Sequence, residues 1–339
     1  MECLRSLYRS ILEVHHWAEG KRGGGRGQSI MIRVLIVGAG RSRNGIGEYI
    51  GKYFHKNKAQ VVAVLGTTQE TSLRAASALE KYGIASTPYS NFDDMVDRES
   101  PDVLVIASPA STHYDYLARG LESGLHVFCE KPFIWSVAGP LEKAVSHVLN
   151  RAREKQLTLA MNSQLPFTLN DYEKLCGKME RGGSNRFYAA MSPFASGAEM
   201  IPDTMPHVLS LLYAVFGEGK VRNVRFESTT PRDLKIEFQY VGSSGICETR
   251  AELASQERQP RPFRFGWNGK IVSRSLDLVN YDIYFNHEGK RLKIQDPLEA
   301  SVTNFIEAIE RKVEPLIGSR HILNNTVLLK EIFDQYGGA

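Results

Sequence analysis

The sequence contains few cysteines, no long apolar run and little excess of charge of one sign. Its 339 residues include four cysteines, at positions 3, 129, 176 and 247. Their spacing fits neither a C-x₂₋₄-C zinc site nor a disulfide framework, so we predict no metal and a reducing, cytoplasmic environment. No apolar run approaches the roughly 20 residues that cross a bilayer, which argues against a membrane protein.

The net charge argues against nucleic acid as a partner. Lys and Arg exceed Asp and Glu by 42 − 38 = +4, and residues 1–30, with five basic and three acidic residues, supply +2 of that excess. The remainder is almost neutral, whereas nucleic-acid-binding domains carry a strong basic excess. A small molecule is therefore the expected partner.

The first thirty residues differ in composition from the rest. Residues 4–14 show apolar spacing typical of a helix, and residues 21–27 have the Gly- and Arg-rich composition of a flexible linker. A secretory signal is not expected, because a continuous apolar stretch is missing. We expect folding to begin near Met31, with residues 1–30 either a dispensable appendage or a short partner-binding helix.

Strand-like and helix-like segments alternate in the first half of the chain. Continuous apolar, β-branched runs are typical of parallel strands that are covered on both faces, and strand–helix alternation predicts βαβ units in a doubly wound sheet. The predicted strands are 33–37, 61–65, 103–107, 125–129 and 157–161, and the predicted helices between them are 49–55, 72–82 and 114–123.

A glycine-rich turn follows the first strand. Gly38, Gly40 and Gly47 fit the three positions of a G-x-G-x-x-G dinucleotide fingerprint, with four extra residues in the loop. Glycines let the backbone approach a pyrophosphate that the next helix N-terminus attracts. We assign these glycines, with Arg41 and Ile46, to cofactor binding; an ordinary glycine-rich turn is the alternative.

The end of the second strand bears on the choice between NAD and NADP. An Asp or Glu there would bond the 2′-hydroxyl of NAD, but this chain has Thr67 and Thr68. With Arg41, Arg43 or Arg74 in reach, the segment suits a 2′-phosphate better, so we predict NADP in preference to NAD.

Two later stretches resemble a known family. The first is Ser108-Pro109 with His113 four residues on, followed by Glu130-Lys131-Pro132; the second is Asp203 and His207 in an Asp-x-x-x-His pair. Their order and separation resemble the glucose–fructose oxidoreductase / inositol dehydrogenase (Gfo/Idh/MocA) family, over residues 31 to about 335.

The resemblance implies a fold in two parts. It implies an N-terminal Rossmann domain, residues 31–160, and an α/β domain with a large, mostly antiparallel open sheet, residues 161–339. It also implies a homo-oligomer formed through that sheet. The sequence supports the second part independently: the predicted strands are 186–191, 221–228, 234–240, 246–253, 264–267 and 281–285, and the predicted helices are 300–311 and 326–336.

The resemblance also implies chemistry. Lys131 follows a strand at the edge where nicotinamide should lie, and there it would orient a substrate hydroxyl; a surface pair with Glu130 is the alternative. His207 would be the proton acid or base, with Asp203, four residues earlier on one helix face, as its orienting partner or as a contact to the substrate. Asp203 as N-cap of the helix through Phe216, with Pro206 in its first turn, is a compatible alternative.

Other residues complete the predicted cofactor site. Ser108, Pro109, His113, Glu130, Lys131 and Asn162 lie at strand ends that face the same sheet edge. We expect His113 to act structurally or at the cofactor edge, and Asn162 to bond the carboxamide or the substrate.

The chain departs from the family pattern on the substrate side. The glycine cluster before Asp203 is reduced to Gly197, and Ser163-Gln164 stands after Asn162 where the family often has arginine. We predict an NAD(P)-dependent oxidoreductase that acts on a hydroxyl or carbonyl of a sugar, polyol or related molecule. The alternative is a non-catalytic dinucleotide-binding sensor.

Overall fold

The computed structural model describes residues 31–40 and 45–337. The predictions for residues 1–30, Arg41 and Arg43 lie outside the described residues. Ile32–Ala339 forms one compact unit, and none of the described helices is long and apolar enough to span a membrane.

The first part of the chain alternates strands and helices, as predicted. The strands are β1 (Arg33–Val37), β2 (Gln60–Leu65), β3 (Thr87–Tyr89), β4 (Val103–Ile106), β5 (His126–Glu130) and β6 (Leu159–Asn162). The helices are α1 (Gly47–Lys56), α2 (Gln69–Glu80), α3 (Phe92–Glu99), α4 (His113–Glu122) and α5 (Leu141–Glu154).

These strands form one parallel sheet in the order β3-β2-β1-β4-β5-β6. Alternate residues of β1 point into two different cores. Val34 and Ile36 pack with α1 and α2, whereas Leu35 and Val37 pack with α3, α4 and α5. Both faces are therefore covered, which is why the strands are apolar throughout. The doubly wound Rossmann arrangement is confirmed.

The second part contains a larger sheet. Its elements are α6 (Leu169–Cys176), β7 (Ser184–Met191), α7 (Met200–Phe216), β8 (Gly219–Glu227), β9 (Asp233–Gly242), β10 (Gly245–Ala254), β11 (Phe263–Trp267), β12 (Lys270–Asp277), β13 (Asp282–His287) and β14 (Lys290–Ile294). The chain continues with α8 (Pro297–Arg311) and α9 (Ser319–Gly337).

Eight strands of this part pair in the order β14-β13-β12-β11-β7-β10-β9-β8. Only β7 and β10 run parallel among them; the remaining neighbours are antiparallel. Buried and less buried residues alternate along β9 and β10, so one face packs on α7 while the other stays open. The predicted large, mostly antiparallel open sheet is confirmed.

Helix α8, which follows the second sheet in the chain, packs against the first sheet. Phe305 of α8 packs against Phe54 of α1 and Phe128 of β5, with ring centroids 6.2 and 5.3 Å apart. Asp296 caps α8 by accepting the Leu298 N–H and also accepts the Tyr53 hydroxyl. Thus a helix that follows the second sheet in the chain completes the core of the first.

Candidate active site

The glycine turn after β1 is shaped by close backbone contacts. Gly38 has φ +89°, and a Cβ there would stand 2.5 Å from the Ser108 nitrogen. Gly40 has φ +70°, and its Cβ would stand 2.9 Å from the Ala75 Cα. Both positions therefore require glycine, for conformation and for space.

The turn leads into the N-terminus of α1. A Cβ on Gly47 would stand 3.0 Å from the Ala39 Cα, so this glycine lets the helix start close to the strand. Ile46 is the N-cap and provides no side-chain hydrogen bond to the first turn. A helix start of this kind, directed to the carboxyl edge of the sheet, suits a pyrophosphate.

Thr67 and Thr68 lie at the end of β2, but Thr68 also has a local structural task. Its hydroxyl accepts the Thr71 N–H at 3.2 Å, while the Thr71 hydroxyl accepts the Thr68 N–H at 2.9 Å. This reciprocal pair caps α2. Both threonines remain exposed and accessible to a ribose.

The loop after β4 is held by His113. One ring nitrogen lies 3.0 Å from the Ser108 carbonyl oxygen, and the other lies 2.9 Å from that of Pro132. The imidazole is buried. Through these two contacts it joins the segments that follow β4 and β5. The Ser108 hydroxyl is 2.6 Å from that of Thr112, and Pro109 precedes the short helical turn that contains Thr112.

Lys131 pairs with Asp203 rather than with Glu130. Its Nζ lies 3.0 Å from Asp203 Oδ1 and also donates to the Asp203 carbonyl oxygen. The two side chains are 16% and 24% exposed, so the pair is shielded but accessible from one side. The structure therefore brings together two residues that are 72 positions apart.

Asp203 is not the N-cap of its helix, because α7 begins three residues earlier at Met200. Pro206 accordingly lies in the second turn, not the first. The early start follows from Met200 and Ile201, which are buried in the core under the second sheet. Asp203 Oδ2 instead accepts the backbone N–H groups of Phe194 and Ala195, at 3.0 and 3.4 Å.

The carboxylate charge of Asp203 is stabilised by these partners. Burial by itself would raise the pKa of Asp203, but the Lys131 ammonium and the two backbone N–H groups hold it below its ordinary value. The Asp203 carboxyl therefore stays ionised at neutral pH.

His207 has a different partner from the one predicted. Its Nδ1 lies 3.2 Å from the Ser163 hydroxyl oxygen, while both carboxylate oxygens of Asp203 are used elsewhere. Burial, followed by the positive charge of Lys131, lowers the pKa of His207 to about 3. The ring is thus neutral at physiological pH, yet it keeps some accessible surface.

Glu130 and Asn162 lie side by side at the ends of β5 and β6. Asn162 Nδ2 donates to Glu130 Oε1, while Asn162 Oδ1 is buried without a hydrogen-bond partner among the described residues. An unpaired amide oxygen at this sheet edge fits a donor such as the nicotinamide carboxamide. With the glycine turn, it shows that the residues present suit a bound dinucleotide.

Two contacts of the site were not predicted from the sequence. Ser163 contacts His207, and Asn325 Nδ2 donates to the Pro206 carbonyl oxygen at 2.8 Å. Ser163 had a usable signal, since it directly follows a strand end at the predicted site edge. Asn325 had none, because it is 119 residues from its partner.

Among the described residues, no cluster of three or more His, Cys, Asp or Glu is arranged to hold a metal ion. The three described cysteines are buried and free.

Comparison with known proteins identifies relatives. Residues 32–163 match the model of an oxidoreductase family with an NAD-binding Rossmann fold. The chain is 37% identical over 102 residues to the D-glucoside 3-dehydrogenase of Escherichia coli, a match that covers 30% of this chain and 27% of that protein. It is 22% identical over 303 residues to the UDP-N-acetylglucosamine 3-dehydrogenase of Acidithiobacillus ferrooxidans, which covers 83% of this chain and 89% of the relative.

Solved structures show the same fold. That of the Acidithiobacillus ferrooxidans enzyme aligns with a TM-score of 0.64 at 18% identity, over 89% of this chain and 97% of its own. An oxidoreductase from Agrobacterium radiobacter, in complex with NAD⁺, L-tartaric acid and magnesium, aligns with a TM-score of 0.64 at 11% identity. The alignment covers 91% of this chain and 97% of that one. The family model thus places residues 32–163 in the NAD-binding Rossmann part of the Gfo/Idh/MocA oxidoreductases, and the solved structures show that the fold of such proteins extends over about nine tenths of the chain.

Proposed function

We propose that the chain is an NAD(P)-dependent dehydrogenase or reductase that interconverts a hydroxyl and a carbonyl group on a sugar, a polyol or a related small molecule. The observation that carries this proposal is the convergence of Lys131, Asp203 and His207 at the carboxyl edge of the first sheet, beside Asn162. When bound, the nicotinamide supplies the hydride acceptor or donor.

The side chains suit the proton half of such a reaction. His207 is neutral, because its pKa is lowered to about 3, so one ring nitrogen is unprotonated and can accept a hydrogen bond from a substrate hydroxyl. The Lys131 ammonium, shielded and fixed by Asp203, can bond the same oxygen and stabilise the negative charge that develops there. That charge would also raise the proton affinity of His207 during transfer.

The substrate class is taken from the relatives. D-glucoside and UDP-N-acetylglucosamine 3-dehydrogenases carry sugar substrates in their names, as the inositol 2-dehydrogenases of Salmonella carry a polyol. A sugar or polyol hydroxyl is the chemistry that these share.

We further propose NADP as the preferred cofactor. Thr67 and Thr68 leave the end of β2 without a carboxylate, and the exposed Arg74 lies on α2 next to the glycine turn, its carbonyl oxygen 3.3 Å from the position of a Gly40 Cβ. A 2′-phosphate fits this surrounding better than a 2′-hydroxyl. Fluorescence titrations with NADPH and NADH rank the two.

The catalytic proposal is tested by following absorbance at 340 nm with NADP⁺ and NAD⁺ against glucosides, UDP-sugars and inositols. Lys131→Met and His207→Gln should each lower kcat by about 10²-fold or more, while NADPH affinity stays near that of the wild type. Lys174→Met and His147→Gln, on exposed positions of α6 and α5, are matched controls.

A different result would favour the sensor. If NADPH binds but no substrate of the panel is turned over, and the Lys131 and His207 variants bind every ligand as the wild type does, the protein is a dinucleotide-binding sensor and the catalytic proposal is wrong.

A further inference from the structure

Ser163 occupies a fully buried position between His207 and the backbone of α7. Its hydroxyl oxygen lies 3.2 Å from His207 Nδ1 and 3.4 Å from the Pro206 carbonyl oxygen. The residue itself has no exposed surface. The Ser163 hydroxyl can donate its single proton to only one of these two neighbours, the imidazole or the carbonyl oxygen.

The chemistry of the two neighbours decides where that proton goes. A carbonyl oxygen can only accept, so in the 3.4 Å hydrogen bond to Pro206 the Ser163 hydroxyl is the donor. In that arrangement the hydroxyl keeps its lone pairs for the imidazole. A neutral imidazole carries one N–H, and an Nδ1–H then donates to the Ser163 oxygen. Nε2 is left unprotonated, which is the state that a proton acceptor needs.

The Pro206 carbonyl is itself held in place. Asn325 of α9 donates to it at 2.8 Å, and the same amide nitrogen lies 3.0 Å from the Ser210 hydroxyl. The acceptor that orients the Ser163 hydroxyl is therefore fixed from a second helix. Two elements, the end of β6 and α9, thus define the environment of one imidazole.

We propose that Ser163 is a positioning residue that holds His207 as the Nδ1–H tautomer and thereby makes Nε2 the proton acceptor. This inference rests on the proposed dehydrogenase function for its catalytic meaning, but the tautomer is a property of the protein alone. The charged groups that face His207 among the described residues are Lys131 and Asp203, and neither is hydrogen-bonded to the ring.

The tautomer is read by NMR on the full chain with ¹⁵N-labelled histidine, where the His207 signals are identified by their loss in His207→Gln. The wild type should show a protonated Nδ1 and an unprotonated Nε2 near pH 7. Ser163→Ala should shift the ring towards the Nε2–H form or a mixture, and Ser163→Thr, which keeps the hydroxyl, should restore the wild-type pattern.

Activity gives a second reading. In the direction of alcohol oxidation, Ser163→Ala should lower kcat about tenfold or more, with KM and NADPH affinity changed little, and Ser163→Thr should recover most of the loss. Ser301→Ala, at a buried serine of α8, is the matched control and should change neither the tautomer nor kcat.

Two outcomes overturn the proposal: a wild-type His207 that carries its proton on Nε2, or a Ser163→Ala protein whose tautomer is unchanged. The wild-type spectrum alone decides the first, even where Ser163→Ala fails to fold. Failure of the dehydrogenase function would instead appear as absent turnover with the Nδ1–H signal intact.

Discussion

A single carboxylate organises the centre of the candidate site. One oxygen of Asp203 holds Lys131, and the other accepts two backbone N–H groups from the loop in front of α7. Because these partners come from the end of β5 and from residues 194 and 195, Asp203 joins the carboxyl edge of the first sheet to the loop that precedes α7. Its carboxylate is a positioning group for Lys131 at least as much as a neighbour of His207.

Two glycines allow the cost of a left-handed backbone to be measured separately from the cost of a steric clash with a Cβ. Gly40 and Gly83 have almost the same φ, +70° and +72°, but a Cβ would stand 2.9 Å from the Ala75 Cα at Gly40 and would meet nothing within 4 Å at Gly83. Gly83→Ala should lower the free energy of unfolding by about 1–2 kcal/mol, the cost of left-handed backbone. Gly40→Ala should lower it by about 1–3 kcal/mol more, because the α2 backbone must move.

Urea unfolding measures the loss of stability in both variants, and titration with NADPH measures their cofactor affinity. Gly40→Ala should weaken NADPH binding, whereas Gly83→Ala should not. Equal losses of stability and equal NADPH affinity in the two variants would contradict a role of close approach at Gly40.

At the scale of elements, the contact between α7 and α9 contains a buried histidine. The His321 ring stacks on that of Tyr213, with centroids 4.2 Å apart and planes at 25°. Burial lowers the pKa of His321 to about 3, so the ring stays neutral in the fold while it would titrate near 6.5 in the unfolded chain.

This difference predicts acid sensitivity. Between pH 6.5 and about 3 the unfolded state binds a proton that the folded state does not, so the free energy of unfolding falls as the pH falls through that window. Each such histidine contributes a slope of at most about 1.4 kcal/mol per pH unit, and His207 contributes a second one. His321→Phe keeps the stacked ring and should remove the share of the slope that this histidine contributes, at most about 1.4 kcal/mol per pH unit.

Urea unfolding at several pH values between 4 and 7 measures the slope. His147→Phe, on the exposed face of α5, provides the control and should leave the slope as it is. An unchanged slope in His321→Phe would show that this histidine does not set the acid response.

The sequence predicted elements best where burial imposes one pattern. β1, β2, β4 and β5 are covered on both faces, so their apolar runs were unmistakable. β3, with three residues, and β12 and β14, with mostly partly or fully exposed side chains, lack such a pattern and were missed. The helices α3 and α5 were missed as well, although the buried apolar residues of both follow helical spacing.

The motifs predicted which residues belong to the site but not which of them contact each other. Lys131, Asp203 and His207 could be named because each stands in a short ordered pattern. Their pairing could not, because Lys131–Asp203 and Ser163–His207 are contacts over 72 and 44 residues, which arise only where the first turns of α7 meet the segments that follow β5 and β6 in the folded chain.

At the scale of the whole molecule, the open face of the second sheet carries a ladder of alternating charges. Lys235 lies 3.1 Å from Glu237, Glu237 lies 3.7 Å from Arg250, and Arg250 also pairs with Glu252. These pairs neutralise one another, so two copies of the face would meet without net repulsion.

We therefore propose that the protein forms a homo-oligomer through this face, and one charge reversal tests it. Arg250→Glu would place a third carboxylate beside Glu237 and Glu252, where repulsion opposes any partner that presents the same ladder. Sedimentation velocity over a concentration series should show an oligomer for the wild type and a shift towards monomer for Arg250→Glu, a shift that added salt reduces by screening. Arg153→Glu, on the exposed surface of α5, should sediment like the wild type. A monomeric wild type, or an oligomer indifferent to Arg250→Glu, would contradict assembly through this sheet.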